Sequence, residues 1–183
     1  MTIRLICAAL LAASFGLSSA TAVHAQAKKK KTAEPAAAAG PKKVATHGKW
    51  EVYVQGGKSK LCYATTKPRK RSPDNLKDVD GYVFISMRPA QNVRNEIAIK
   101  MGFDLKPDAK PTVTIGSSKF AMVANGTDLF VEVAAEERAF VAALRKGSEL
   151  VVRATSKRGN DTTDNYALSG IGQSLDDLQK ECS

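Results

Sequence analysis

Residues 48–66, GKWEVYVQGGKSKLCYATT, carry the pattern on which the fold turns. Trp50, Val52 and Val54 alternate with Lys49, Glu51 and Tyr53, the period of a strand with one face buried and one face wet. Gly56-Gly57 breaks the run, and the alternation resumes through Leu61 and Tyr63, so the stretch predicts a hairpin. Trp50, the one tryptophan, is expected in the core. Cys62 has a single partner downstream, Cys182, and a bond between them would tie the first hairpin to the C-terminus.

Upstream of this hairpin the chain changes character twice. Met1 to Ala25 opens with Arg4, continues through the apolar run Leu5 to Leu17, and ends in Ala22-Val23-His24-Ala25. That is the layout of a secretory signal peptide cleaved after Ala25, with an apolar core too short to span a bilayer. Cys7 lies inside that core, far from the cleavage point, and leaves with it. Residues 26–47 are a low-complexity mix of Lys, Ala and Pro with little to bury, and are expected to form a disordered basic arm.

Charge follows the same boundary. The whole chain carries 28 Lys and Arg against 18 Asp and Glu, a net +10. Removing Arg4 with the leader, then six lysines and Glu34 with the arm, leaves 21 basic against 17 acidic side chains for residues 48–183. The basicity therefore belongs mainly to the arm, which argues against a nucleic-acid-binding face on the folded domain. Lys28, Lys29, Lys30, Lys31, Lys42 and Lys43 are the candidates for binding an anionic envelope surface, at up to about 1 kcal/mol per Lys. Arg69, Lys70 and Arg71 are the densest basic cluster on the domain and extend that set.

Downstream, Lys67 to Gly81 holds two prolines and many charges, and reads as a long exposed loop. Strands are predicted over 82–88, 96–101, 111–115, 119–124 and 129–133, with hairpin turns at Gly116-Ser117 and Asn125-Gly126. From Glu136 to Lys146 the period becomes helical: Phe140, Val141 and Leu144 share a face, acids lead, Arg145 and Lys146 close, and Gly147 stops the run. Strands return over 149–156 and 165–169, separated by a polar turn, and a short helix over 174–181 carries Cys182. About nine short strands with two helices predict an all-β, antiparallel sandwich or partly closed barrel over residues 48–183.

The titratable residues offer little chemistry. With His24 gone, His47 is the one histidine, at the junction of arm and domain, which excludes nucleophile–histidine dyads in the core and zinc sites built on several histidines. No Gly-rich phosphate loop or calcium loop occurs, and no cofactor or metal is expected. Asp161 with Asp164 and Asp176 with Asp177 read as solvated charge, while Asp74, Asp78 and Asp80, in the Lys67 to Gly81 loop, are the best remaining carboxylates for an enzyme. Cys62 and Cys182, exported together, are expected to pair.

The order of features, namely leader, Lys/Ala/Pro arm, GKWEVYV, and a Cys shortly after, resembles the invasion-associated locus B family of alphaproteobacterial exported proteins. So does the end of the domain, YALSGIGQSLDDLQKEC, where a strand runs into Ser-Gly, a short helix with spaced Leu, and a terminal Cys. The resemblance implies a periplasmic or envelope-associated, β-rich binding protein. With no catalytic constellation in the residues and a basic arm ahead of the domain, the expectation is a non-enzymatic binding or adaptor protein, in the periplasm or at the outer envelope, whose partner is an anionic envelope surface or an envelope or host protein. Two other classes compete: a periplasmic inhibitor acting through the Lys67 to Gly81 loop, and a carboxylate-based hydrolase.

Overall fold

Alternation at period two governs the molecule as it does the first hairpin. A computed structural model describes residues 40–183, and the predicted leader and most of the arm lie outside them. Eleven strands form one open antiparallel sheet: β1 (Lys42–His47), β2 (Trp50–Gln55), β3 (Leu61–Thr66), β4 (Lys70–Ser72), β5 (Tyr82–Arg88), β6 (Val93–Lys100), β7 (Thr112–Ile115), β8 (Ser118–Asn125), β9 (Asp128–Val131), β10 (Glu149–Thr155) and β11 (Asp161–Ala167). Their order is β1-β2-β3-β5-β6-β9-β8-β7-β10-β11-β4, so β1 and β4 are the free edges. Two helices complete the fold, α1 (Glu137–Lys146) and α2 (Ile171–Cys182).

β8 joins two halves of the sheet. Its first residues pair with β7 and its last with β9, from Met122↔Val131 onward. The two halves share one core: Val52, Ile85, Ile97 and Leu129 on one side and Val113, Leu150, Val152 and Tyr166 on the other belong to a single buried cluster. Trp50, fully buried, crosses between them by donating its indole N–H to the carbonyl of Ala167 at 3.0 Å. The architecture is the expected all-β, sandwich-like one, and it is not closed.

The helices seat as their spacing requires. Phe140 and Leu144 of α1 are buried, with the Phe140 ring 4.6 Å from that of Phe120. On α2, Ile171, Leu175, Leu178 and Cys182 form one buried stripe, and the helix lies against β1, β2 and β3.

Several expectations are corrected. Two strands exceed the predicted nine, and both formed where too little apolar sequence existed to signal them. β1 occupies 42–47, inside the stretch expected to be a disordered arm; it pairs along β2, from Lys42↔Val54 to His47↔Trp50. Its side chains are mostly exposed, and an edge strand held by backbone bonds needs no apolar period. β4 lies inside the supposed exposed loop and pairs with β11 through Arg71↔Asp164. β11 starts at Asp161, so Asp164 sits on a strand with no exposed surface and is not solvated charge. In β3 the buried phase is Cys62 and Ala64, which turns Tyr63 outward, against the phase read from the sequence. The pairing decides it, because Val54↔Cys62 and Val52↔Ala64 must share a face with the core side of β2.

Candidate functional site

The expected surface-binding residues separate into four groups. Lys28 to Lys31 lie outside the described residues. Lys42 and Lys43 are on the edge strand β1, where Lys43 Nζ stands 2.9 Å from Glu51 Oε1. Arg69 and Lys70 are exposed, and Arg69 donates to Glu149 Oε1 at 2.6 Å. Arg71 does not belong with them: its side chain is 4% exposed, and it is removed from the surface-binding set.

Arg71 is instead a buried anchor. Its Nε and Nη2 donate to the two oxygens of Asp164 at 2.9 and 2.8 Å. The same guanidinium donates to the carbonyls of Val79 at 2.6 Å and Met101 at 2.8 Å, and lies over the Phe103 ring. The donors of the fork thus reach acceptors on β11 and in two loops, which pins the 67–81 segment to the core. Burial raises the Asp164 carboxyl above its ordinary pKa, with Arg71 pulling the other way. Tyr166, fully buried nearby, is held protonated far above the usual phenol range, by burial first and the Asp164 carboxylate second.

Cys62 and Cys182 are bonded, with Cα atoms 6.1 Å apart. Asp74, Asp78 and Asp80 are exposed on the 67–81 segment, and Asp80 accepts from Lys67 Nζ at 2.8 Å, which lowers its pKa. None of the three sits in an apolar enclosure that would ready a carboxylate for proton transfer. His47 lies on β1 with Nε2 2.7 Å from Asp177 Oδ2 of α2, fastening strand to helix.

The feature the sequence reasoning missed is a groove of about 940 Å³ on the outer face of β2, β3 and β5. Its floor is aromatic. Tyr53 and Tyr63, directly paired across β2 and β3, stack at 5.0 Å with planes 12° apart. Phe84 follows at 5.9 Å from Tyr63, and Tyr82 at 5.8 Å from Phe84. All four are partly buried and face away from the core. Direct and diagonal cross-strand neighbours on one sheet face fall within reach of aromatic side chains, so alternation alone builds the row.

The rim is polar. Lys49, Lys67 and Arg69 line the groove against one carboxylate, Glu51. Glu51 accepts from Lys43 and from the Tyr53 hydroxyl, at 2.9 and 2.8 Å, and these bonds hold its pKa below the ordinary carboxylate range. Lys67 Nζ lies 5.1 Å from the Tyr82 ring centroid. Thr66 is spent on structure, donating to the Lys49 carbonyl, whereas the buried Thr65 hydroxyl has no hydrogen-bond partner among the described residues. The groove presents flat apolar rings with cations and hydroxyls around them, the components of a ligand-binding surface. The overlooked signal lay in the outward phase of the strands, where Tyr53, Tyr63, Tyr82 and Phe84 occupy positions that an ordinary wet face gives to polar side chains.

Comparison with known proteins agrees with the layout. A search of curated proteins finds no match. Among solved structures, the crystal structure of invasion associated protein b from Bartonella henselae matches with a TM-score of 0.54 at 18% identity, over 74% of this chain and 95% of that one. That likeness establishes the shared fold. Residues 50–179, from the strand of Trp50 into the last helix, match the family model for the invasion associated locus B (IalB) protein, and the chain belongs to that family.

Proposed function

We propose that the protein is an exported, envelope-associated binding or adaptor protein that acts without catalysis. The observation that carries this is the groove, an aromatic floor with an excess of cations and no nucleophile–base pair in its lining. The leader and the Lys28–Lys31 cluster read from the sequence support delivery to the periplasm or outer envelope and electrostatic attachment there. In this arrangement the arm supplies non-specific attraction to anionic envelope material and the domain presents the recognition surface. The partner is an envelope surface or a protein of the envelope or host.

Sedimentation of the exported chain with anionic envelope sacculi, at low and high salt, tests the proposal. Binding is expected at low salt and should fall as salt rises, because exposed charges are screened. Replacing Lys28, Lys29, Lys30 and Lys31 together with Gln should remove most of the salt-sensitive part. A chain that fails to bind any envelope fraction, or that turns over sacculus glycan, overturns the proposal.

A further inference from the structure

We infer that the groove on β2, β3 and β5 binds an anionic oligosaccharide, a chain of pyranose rings bearing carboxylates. The inference rests on the binding-protein reading and names its ligand.

Three observations select this chemistry. First, the recognising surface is made of side chains and not of backbone. β2, β3 and β5 are each hydrogen-bonded to strands on both sides, so no edge is available there to add a peptide strand. A ligand must lie on the Tyr53–Tyr63–Phe84–Tyr82 row, and the C–H face of a pyranose ring is the flat apolar surface that packs on an aromatic ring. Second, three of the four rings carry hydroxyls, and Thr65 adds a hydroxyl that is buried at 8% exposure with no partner among the described residues. A buried polar group left without a hydrogen bond is costly, and a hydroxyl-rich ligand over the groove supplies the partner.

Third, charge fixes the sign. Lys49, Lys67 and Arg69 line the groove against Glu51 alone, and Glu51 is already engaged by Lys43 and Tyr53. Lys67 and Arg69 each hold a carboxylate outside the groove lining, Asp80 and Glu149, while Lys49 makes no ion pair among the described residues. Lys49 is therefore the cation free to meet a ligand carboxylate. Lys28 to Lys31, cations themselves, do not complement Lys49, so the chain's own arm does not suit the groove.

Calorimetric titration of the exported chain with a short oligogalacturonate tests this, with a neutral maltooligosaccharide and poly-glutamate as comparison probes. Oligogalacturonate should bind with salt-dependent affinity, and the other two much more weakly, one lacking charge and the other lacking rings. Tyr63→Leu should weaken binding roughly tenfold. Lys49→Gln, an exposed change that leaves the core untouched, should weaken it several-fold and flatten the salt dependence. The titrations are repeated with Lys28 to Lys31 replaced by Gln, which removes the arm's own attraction for polyanions, and the preference for oligogalacturonate over poly-glutamate should persist. Equal binding of poly-glutamate would reduce the site to bare charge, and equal binding of the neutral oligosaccharide would remove the role of Lys49. Loss of binding on neutralising the arm would move the site off the domain. If oligogalacturonate binds the native chain and the Tyr63→Leu and Lys49→Gln variants equally while sacculi still bind the native chain, the groove inference is wrong and the binding-protein reading stands; if no envelope fraction binds the native chain, both are wrong.

Discussion

Arg71 shows how a residue's neighbours in sequence mislead about its neighbours in space. Between Arg69 and Lys70 on one side and Ser72 on the other, it reads as part of a solvated basic cluster. In the fold it is the middle residue of a three-residue strand whose flanking side chains point to solvent while its own points to Asp164. A strand that short has no period to detect, so the sequence contained no signal for it. The aromatic groove differs, because its four rings were visible as outward-phase aromatics in three strands; what hid them was the phase of β3, which only the register with β2 settles. The buried pair yields a direct prediction. Asp164→Asn leaves a guanidinium in the core without its counter-charge, and breaking one partner of such a pair costs roughly 3–5 kcal/mol. Urea unfolding should show a much lower midpoint with little change in slope. A loss below about 1 kcal/mol would mean that the carbonyls of Val79 and Met101 suffice to hold Arg71.

At the scale of elements, the long strands and α1 were legible because each buries a face with a clear period. The hairpin turns were legible from their glycines, and Tyr82–Arg88 matches its predicted strand residue for residue. β1 was not legible, for its stability is borrowed: it is held by the backbone of β2, by His47 on Asp177 and by the approach of two glycines to neighbouring backbone. Gly48, at φ +62°, leaves only 2.6 Å between the site of a Cβ and the Ser169 carbonyl oxygen. Gly170, at φ +95°, begins α2 with its Cα side turned against the carbonyl of His47. The turn after β1 and the start of α2 thus interlock through positions that accept no side chain. Gly170→Ala should cost roughly 1–3 kcal/mol in backbone strain alone, with the clash adding to it. Hydrogen exchange should locate the damage, with amides of β1 and the first turn of α2 losing protection before those of β5 and β6. Uniform loss across the sheet would show that the interlock is not a local device.

At the scale of the molecule, the order of strands was beyond reach of the sequence, since hairpin signals fix neighbours but not the crossing by which β4 reaches β11 or β3 reaches β5. One long-range connection was available in advance, the bond from Cys62 to Cys182. It joins β3, near the start of the fold, to the last turn of α2, across a sequence separation of 120. Both cysteines are buried, and α2 covers part of the core through Leu175 and Leu178. The bond therefore holds in place the helix that covers the core side of β2 and β3, whose outer face carries the groove. In the chain-entropy model, closing a loop of this length stabilises by about 4–5 kcal/mol, mostly by restricting the unfolded chain. Thiol titration of unfolded, unreduced protein should find no free cysteine in the exported chain. Replacing Cys62 and Cys182 with Ala should lower the unfolding midpoint by an amount of that order and expose α2 to proteolysis first. The ionic ties His47–Asp177 and Arg145–Asp176 are both partly exposed, and exposed pairs contribute about 1 kcal/mol or less each, so they cannot hold the helix in its place. Two reactive thiols per chain, or a double variant as stable as the native protein, would show that α2 is held by its apolar stripe alone.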